Sequence, residues 1–310
     1  VPTLGGMAIF AGFTIAVLLF GDATAYKPLT IIIAAIIVMF FIGIKDDILI
    51  IAPLTKFGGQ VIAALIVILA ADLRISSLHG FFNIHEIPYW ISIILTLFTV
   101  IVVINAVNFI DGIDGLAATI SSIIALTFGI WFWLTEQYQP ALIAFSLIGA
   151  LLAFLRFNFS KTQKIFMGDT GSLIIGLLIA FLAVQFNESN LVLKHSRYYI
   201  LPAPTVSFAI LIVPLFDMIR IVFIRFFSGN KVFLPDKQHI HHKLLDLGLS
   251  HGKAVLIIAV FNILFIALVI YLSQFVSIRR LLLIVLLISV IVFYIPSLLI
   301  KKRKNEKQTK

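Results

Sequence analysis

Long apolar runs alternate with short polar connections along the whole chain. Measured against the roughly 20 residues that cross a bilayer, several runs imply little tilt. They predict ten membrane helices, over 5–20, 30–44, 57–71, 88–105, 115–134, 140–157, 171–186, 203–226, 254–273 and 280–300. The expected fold is all-α, a polytopic membrane helical bundle of ten transmembrane helices forming one integral-membrane domain over residues 1–310.

Composition sharpens this picture. Hydrophobic residues make up 61% of the 310 and charged ones 12%, with a mean hydropathy of +1.15, far from the soluble norm of about a quarter charged. With no cysteine, neither disulfides nor thiolate metal sites are available. The net charge of +9 would suit nucleic acid, but its distribution argues for membrane topology instead. Even parity puts both termini on one side. Assigned to the cytoplasm, that side collects seventeen of the 23 Lys and Arg, the other six being Lys27, Arg74, Lys194, Arg197, Arg279 and Arg280. This is a positive-inside bias. The tail Lys301-Lys-Arg-Lys304 then reads as a lipid-facing anchor.

The polar stretch between the fourth and fifth runs carries the strongest chemical signal. In Asn105-Ala-Val-Asn108-Phe-Ile-Asp111-Gly112-Ile-Asp114-Gly115 four amide or acid side chains recur at every third position. That step drifts around an α-helix and lines up on a 3₁₀ turn. With Gly112 and Gly115 as breakers, a membrane helix is expected to unwind here and turn Asn105, Asn108, Asp111 and Asp114 toward one small volume. A hydrophilic hairpin would need polarity but not this register.

Three further clusters fall in connections on the same side. Asp46 and Asp47 end the second run. Two carboxylates at a helix C-terminus oppose the macrodipole, which implies a cationic partner such as a metal ion or a Lys. Phe166-Met-Gly-Asp169-Thr-Gly-Ser172 opens the seventh run; Asp169 there reads equally as a helix cap or as a Mg²⁺ holder beside a phosphate-binding helix start. Phe233-Leu-Pro-Asp-Lys-Gln-His239-Ile-His241-His242 concentrates three of the seven histidines. A closed Zn²⁺ site wants four ligands and only His251 is near, so these imidazoles suit phosphate oxygens better. Upstream, Asp217, Arg220 and Arg225 lie at the end of the eighth run, where charge is costly unless paired or functional. An Asp217–Arg220 pair is the plain reading.

Taken together, Pro2-Thr-Leu-Gly-Gly6, Asp46-Asp47, Asn105 to Leu116, Phe166 to Ser172 and Pro235 to His242 resemble the polyprenyl-phosphate N-acetylhexosamine-1-phosphate transferases. These motifs span nearly the whole chain in family order. The His-Ile-His-His form is similar to the branch using UDP-N-acetylglucosamine. That branch has a further first span and a basic stretch before Pro-Thr-x-Gly-Gly, so the natural N-terminus is expected to add both.

The resemblance implies transfer of N-acetylhexosamine-1-phosphate, GlcNAc-1-phosphate above all, from a UDP-sugar to undecaprenyl phosphate with release of UMP. This would be the first membrane step of cell-surface polysaccharide synthesis. It implies Mg²⁺, with Mn²⁺ as a substitute, held by Asp169 and Asn108. Asp46 would position or deprotonate the lipid phosphate with help from Asp47, while Asp111 and Asp114 hold the nucleotide and sugar phosphate. His239, His241 and His242 would steady the diphosphate, with Asn105, Lys56 and Arg225 as further substrate contacts. The expected partners are the two substrates and membrane lipid, not nucleic acid, with a homodimer as an admissible assembly. The expected location is the bacterial cytoplasmic (inner) membrane with the site facing the cytoplasm. Two other functions compete. Asp111-x-x-Asp114-Gly-x-x-Ala118 copies half of a CDP-alcohol phosphatidyltransferase motif, but position 119 is Thr and no further Asp follows down to Leu134. A transporter or flippase would be expected to carry midplane charges and inverted repeats.

Overall fold

The computed structural model describes residues 3–49, 51–227 and 239–308. Its helices are α1 (Gly5–Phe20), α2 (Pro28–Leu49), α3 (Pro53–Leu65), α4 (Tyr89–Ile110), α5 (Leu116–Leu134), α6 (Tyr138–Asn158) and α7 (Gly168–Val192). They continue with α8 (Ala203–Ile210), α9 (Ile212–Phe227), α10 (Ile240–Asp246), α11 (His251–Leu272) and α12 (Ile278–Gln308). A π-helical turn, Ile66–Ala70, extends α3. Among the described residues the only strand pairing is the isolated bridge between Phe81 and Ile84.

Eight described helices are long and apolar enough to cross a membrane, and α8 with α9 makes a ninth span if the pair is counted as one. The chain is thus a multi-pass membrane helical bundle. The expected number of ten is not reached on length, because α1 is apolar but only 16 residues long. The eighth run also departs from expectation: 203–226 is not one helix but two, bent by 82° at the break. Pro214 explains the break. It has no N–H for the carbonyl of Ile210, four residues back, and its ring clashes there. Ile210 is the last residue of α8. The short helix α10 was not foreseen from apolar pattern.

The bundle is built around α7. Apolar on all sides, this helix is buried almost throughout, as an all-round apolar helix must be. It packs against α1, α2, α4 and α5. Both of its ends are fastened by polar contacts to neighbouring segments. At the start, both oxygens of Asp47 on α2 take α7's free donors: Oδ1 accepts from the Asp169 N–H (2.7 Å), and Oδ2 from the Thr170 N–H (3.1 Å) and hydroxyl (2.6 Å). Gly168 makes this possible, since its φ of +71° suits only glycine well, and a Cβ there would lie 2.6 Å from Asp47 Oδ2. The Gly5 and Gly6 N–H groups donate to the carbonyls of Phe166 and Met167 at 3.0 and 2.9 Å. A Cβ on Gly6 would overlap the Gly171 backbone nitrogen.

At the other end, the Tyr26 hydroxyl donates to Gln185 (2.7 Å), the Ser76 N–H to Glu188 (2.8 Å), and the Ile200 N–H to Asn190 (3.0 Å). The hydroxyl of Ser189 donates to Gln137 (2.6 Å). These bonds bind the connections of that face to the central helix. The face at α7's N-terminus gathers every acidic and histidine cluster singled out above.

The backbone contact at Gly6 leads to a stability prediction. Gly6→Val should lower the unfolding midpoint of the detergent-solubilised protein by several degrees, since overpacking costs about 1–3 kcal/mol and here the opposing atom is backbone. Differential scanning fluorimetry checks this; an unchanged midpoint would refute the close approach.

Candidate active site

Asp46 and Asp47 are adjacent on α2 and so point in different directions. Asp47 faces α7; Asp46 faces Lys56, near the start of α3, whose ammonium lies 3.0 Å from Asp46 Oδ2 and 2.5 Å from Asp169 Oδ1. The cation that the paired carboxylates called for is therefore Lys56 in this structure. Asp169 is not the cap of its own helix, because Asp47 does that work. Its Oδ1 also accepts from the Asn108 amide (2.6 Å), which donates to Ser172 as well (2.8 Å). Three helices and the start of a fourth thus meet at one carboxylate.

The Asn/Asp stretch departs from the expected unwinding. α4 stays α-helical through Ile110 and breaks only at Asp111, because nothing before Gly112 interrupts its hydrogen bonds. Asn105 and Asn108 therefore do not line up. Asn105 exchanges amide hydrogen bonds with Gln60 on α3 at 2.9 and 3.3 Å, one turn deeper than Asn108. Beyond the helix end, burial pushes the Asp111 carboxyl up to about 7, with Asp169, Asp47 and Asp114 adding to the rise. Asp114 goes the other way: burial opposes its charge, but Lys164 (2.6 Å) and His251 (3.0 Å) hold it below the usual carboxylate range. The turn is anchored by Asn158, which accepts from the Gly115 N–H (2.6 Å) and donates to the Ile165 carbonyl (2.8 Å).

The histidines meet this link from the other side. A Cβ on Gly112 would overlap the His241 ring, and the His239 ring lies 6.0 Å from that of Phe109. His239 and His241 are stacked 5.4 Å apart, with His242 4.2 Å from His241. Their environments differ. His239 Nδ1 lies 2.8 Å from Asp217 on α9. His241 is fully buried, and neither ring nitrogen has a hydrogen-bond partner. Burial, then the nearby His242, pull it down to about 3, so it packs as a neutral ring. Arg225 is buried near the end of α9. The Pro235–Gln238 part of the motif lies outside the described residues.

Hence Asp46, Lys56, Asn108, Asp111, Asp114, Asp169 and the three histidines come to one face from six segments. Sequence reasoning missed Ser172, Gln60, Asn158 and the part played by Lys164 and His251 beside Asp114. Gln60 had a readable signal, as a lone amide within an apolar run, and Ser172 stood within the Phe166–Ser172 motif; Asn158 and the contacts of Lys164 and His251 had none. Among the described residues no group of three His, Asp or Glu side chains converges as a metal cage. Mg²⁺ needs none, since it is commonly bound through one or two carboxylates plus substrate phosphates. The all-oxygen set of Asp169, Asn108 and the adjacent Asp46 and Asp111 fits that chemistry.

Residues 29–187, about half of the chain, match the family described as Glycosyl transferase family 4. The chain is similar to the Decaprenyl-phosphate N-acetylglucosaminephosphotransferase of Mycobacterium tuberculosis, 32% identical over 83% of this chain and 68% of the relative. It is also similar to the Undecaprenyl-phosphate alpha-N-acetylglucosaminyl 1-phosphate transferases of Salmonella typhimurium and Escherichia coli K12. These are 30% and 28% identical over 83% of this chain and 69% of each relative.

The neutral His241 makes stability depend on pH in a definite direction. Its ordinary value is 6.5; below that the unfolded chain takes up a proton that the folded chain refuses, so acidification favours unfolding down to about pH 3. Between pH 7 and pH 5 the unfolding midpoint should fall relative to that of His241→Gln, which does not titrate there and keeps the opposite contribution of the raised Asp111 carboxyl. Identical slopes for the two proteins would contradict the buried neutral imidazole.

Proposed function

The chain belongs to glycosyl transferase family 4, and from that premise we propose that it transfers GlcNAc-1-phosphate from UDP-GlcNAc to undecaprenyl phosphate, releasing UMP. The observation that carries this reading is the meeting of Asp46, Asp111, Asp114 and Asp169 with Lys56 at one end of a membrane bundle, beside His239 and the helix bearing His242. A reaction between two phosphates needs positioning and charge compensation more than a strong base. A phosphomonoester is already largely dianionic near neutral pH, since its second pKa is about 6. The names of the similar proteins support GlcNAc and a polyprenyl phosphate.

In this reading Asp169 and Asn108 hold Mg²⁺, with Mn²⁺ as a substitute. The bound ion would orient the diphosphate and offset its charge. Asp47 fixes the first turn of α7 and thereby the place of Asp169. Lys56 bridges Asp46 and Asp169 when no diphosphate is present, and turns to phosphate oxygens when one is. Asp114, ionised beside Lys164 and His251, and Asp111 orient the nucleotide and sugar phosphate. His239 and His242 act on the diphosphate. His241 supports their placement from behind. Asp46 faces the lipid phosphate. Direct displacement at the β-phosphorus follows, since the acceptor is nucleophilic enough without a covalent enzyme intermediate.

Purified protein with UDP-GlcNAc, undecaprenyl phosphate and Mg²⁺ should release UMP and stop on chelation. Asp169→Asn should lose turnover by about 10²–10³-fold or more while eluting as folded protein. Near-normal turnover in that variant would remove the proposed metal role. In lipid-free enzyme labelled UMP should not exchange into UDP-GlcNAc; exchange would indicate double displacement.

In this reading the site faces the cytoplasm from a bacterial inner membrane, an orientation that the excess of basic residues on the site's face supports. The exposed connection at Lys161 supplies a test in this cysteine-free chain. Lys161→Cys should be labelled by an impermeant thiol reagent only after the membrane is opened. Labelling in intact cells would reverse the orientation.

A further inference from the structure

The acidic side chain of α9, Asp217, is fully buried and holds three groups. Arg220 Nη2 donates to Oδ1 at 3.0 Å, the plain i,i+3 pair. The other two come from much further along the chain. The Ile240 N–H donates to Oδ1 at 3.0 Å, and His239 Nδ1 lies 2.8 Å from Oδ2. Ile240 is the first residue of α10 and His239 precedes it. One carboxylate therefore joins the broken span α8–α9 to the start of the helix that carries the histidines.

The chemistry of this contact restricts the imidazole. An ionised carboxylate only accepts hydrogen bonds, so the proton belongs on His239 Nδ1, an assignment from the partner rather than from an observed hydrogen. Nε2 is then the nitrogen left for another molecule, as acceptor in the neutral ring and as donor in the imidazolium. The ring also stands beside Phe109, next to Asn108, and stacks on His241, which abuts Gly112. Its place is at the border of the acidic cluster.

We propose that Asp217 is a positioning residue for the transfer: it anchors His239 through Nδ1 and so commits Nε2 to the diphosphate of the nucleotide sugar. This rests on the transferase reading given above. The competing role is purely structural, with Asp217 serving only to balance Arg220 and to cap α10 through Ile240. The two roles differ in whether the effect of Asp217 passes through the imidazole.

A double-mutant cycle separates them. Asp217→Asn keeps the shape and should lower kcat/KM for UDP-GlcNAc by about 10- to 100-fold, the cost typical of removing a group that orients a metal-ligating His. In a His239→Ala background the same change should cost less than about 2-fold, because nothing remains to be positioned. Equal costs in both backgrounds, in protein that elutes as folded, would overturn the proposal and leave the structural role. If Asp217→Asn does not purify as folded protein, Asp217→Glu takes its place in the cycle, with the same two outcomes. Absence of UMP release from the wild-type protein would instead overturn the transferase reading, so the two failures are distinct.

Discussion

The capping of α7 by Asp47 is the contact on which the site's geometry depends. A helix buried on all sides cannot send its first free N–H groups to water, and leaving them unpaired would cost about 1–3 kcal/mol each. A carboxylate from α2 answers them and also meets the positive end of the helix dipole. The cost of bringing two acidic residues to the C-terminus of α2 is thereby offset twice, by α7 for Asp47 and by Lys56 for Asp46. Because neighbours on a helix diverge, fixing Asp47 also fixes the direction of Asp46. The side chain of Asp169 is then free to face Lys56 and Asn108.

The membrane imposes the second constraint. Polar groups within the bundle must find partners inside it, and the amide pair of Gln60 with Asn105 does so across α3 and α4. Hydroxyls such as Thr96, Ser122 and Thr127 return to the carbonyl four residues back in their own helices. The Pro214 break in α8–α9 gives up helix continuity and directs α9 toward the site end, where Asp217 joins it to α10. Charge is concentrated at the two ends of the bundle, an arrangement that suits chemistry at one membrane surface better than passage across the midplane.

Much of this was legible in the sequence. Apolar runs near 20 residues dictate helices in a bilayer, since no other open structure satisfies its own backbone there, and the positions of α2, α4, α5, α6, α11 and α12 follow directly. The acidic motifs were legible as chemistry because carboxylates in such a chain are few and expensive. The five motifs were also legible as a family, and the match over residues 29–187 agrees. The two glycines at positions 5 and 6 were readable only as part of that pattern, not as a reason.

What tertiary structure alone decided is which partner each polar group takes. Asp46 and Asp47 are chemically identical neighbours, and only the approach of α7 and α3 makes one a cap and the other an ion-pair partner. Asn105 and Asn108 share a motif, yet the persistence of α4 to Ile110 separates them by a turn and gives Gln60 to the first and Asp169 to the second. Three adjacent histidines look equivalent in the chain; burial against Gly112 makes His241 a neutral packing ring, while Asp217 takes hold of His239. Local pattern sets which segments are helical and which ends are polar, because those depend on solvent and near neighbours. Pairings across 22 to 159 residues of sequence depend on how the helices pack, and periodicity carries no record of that.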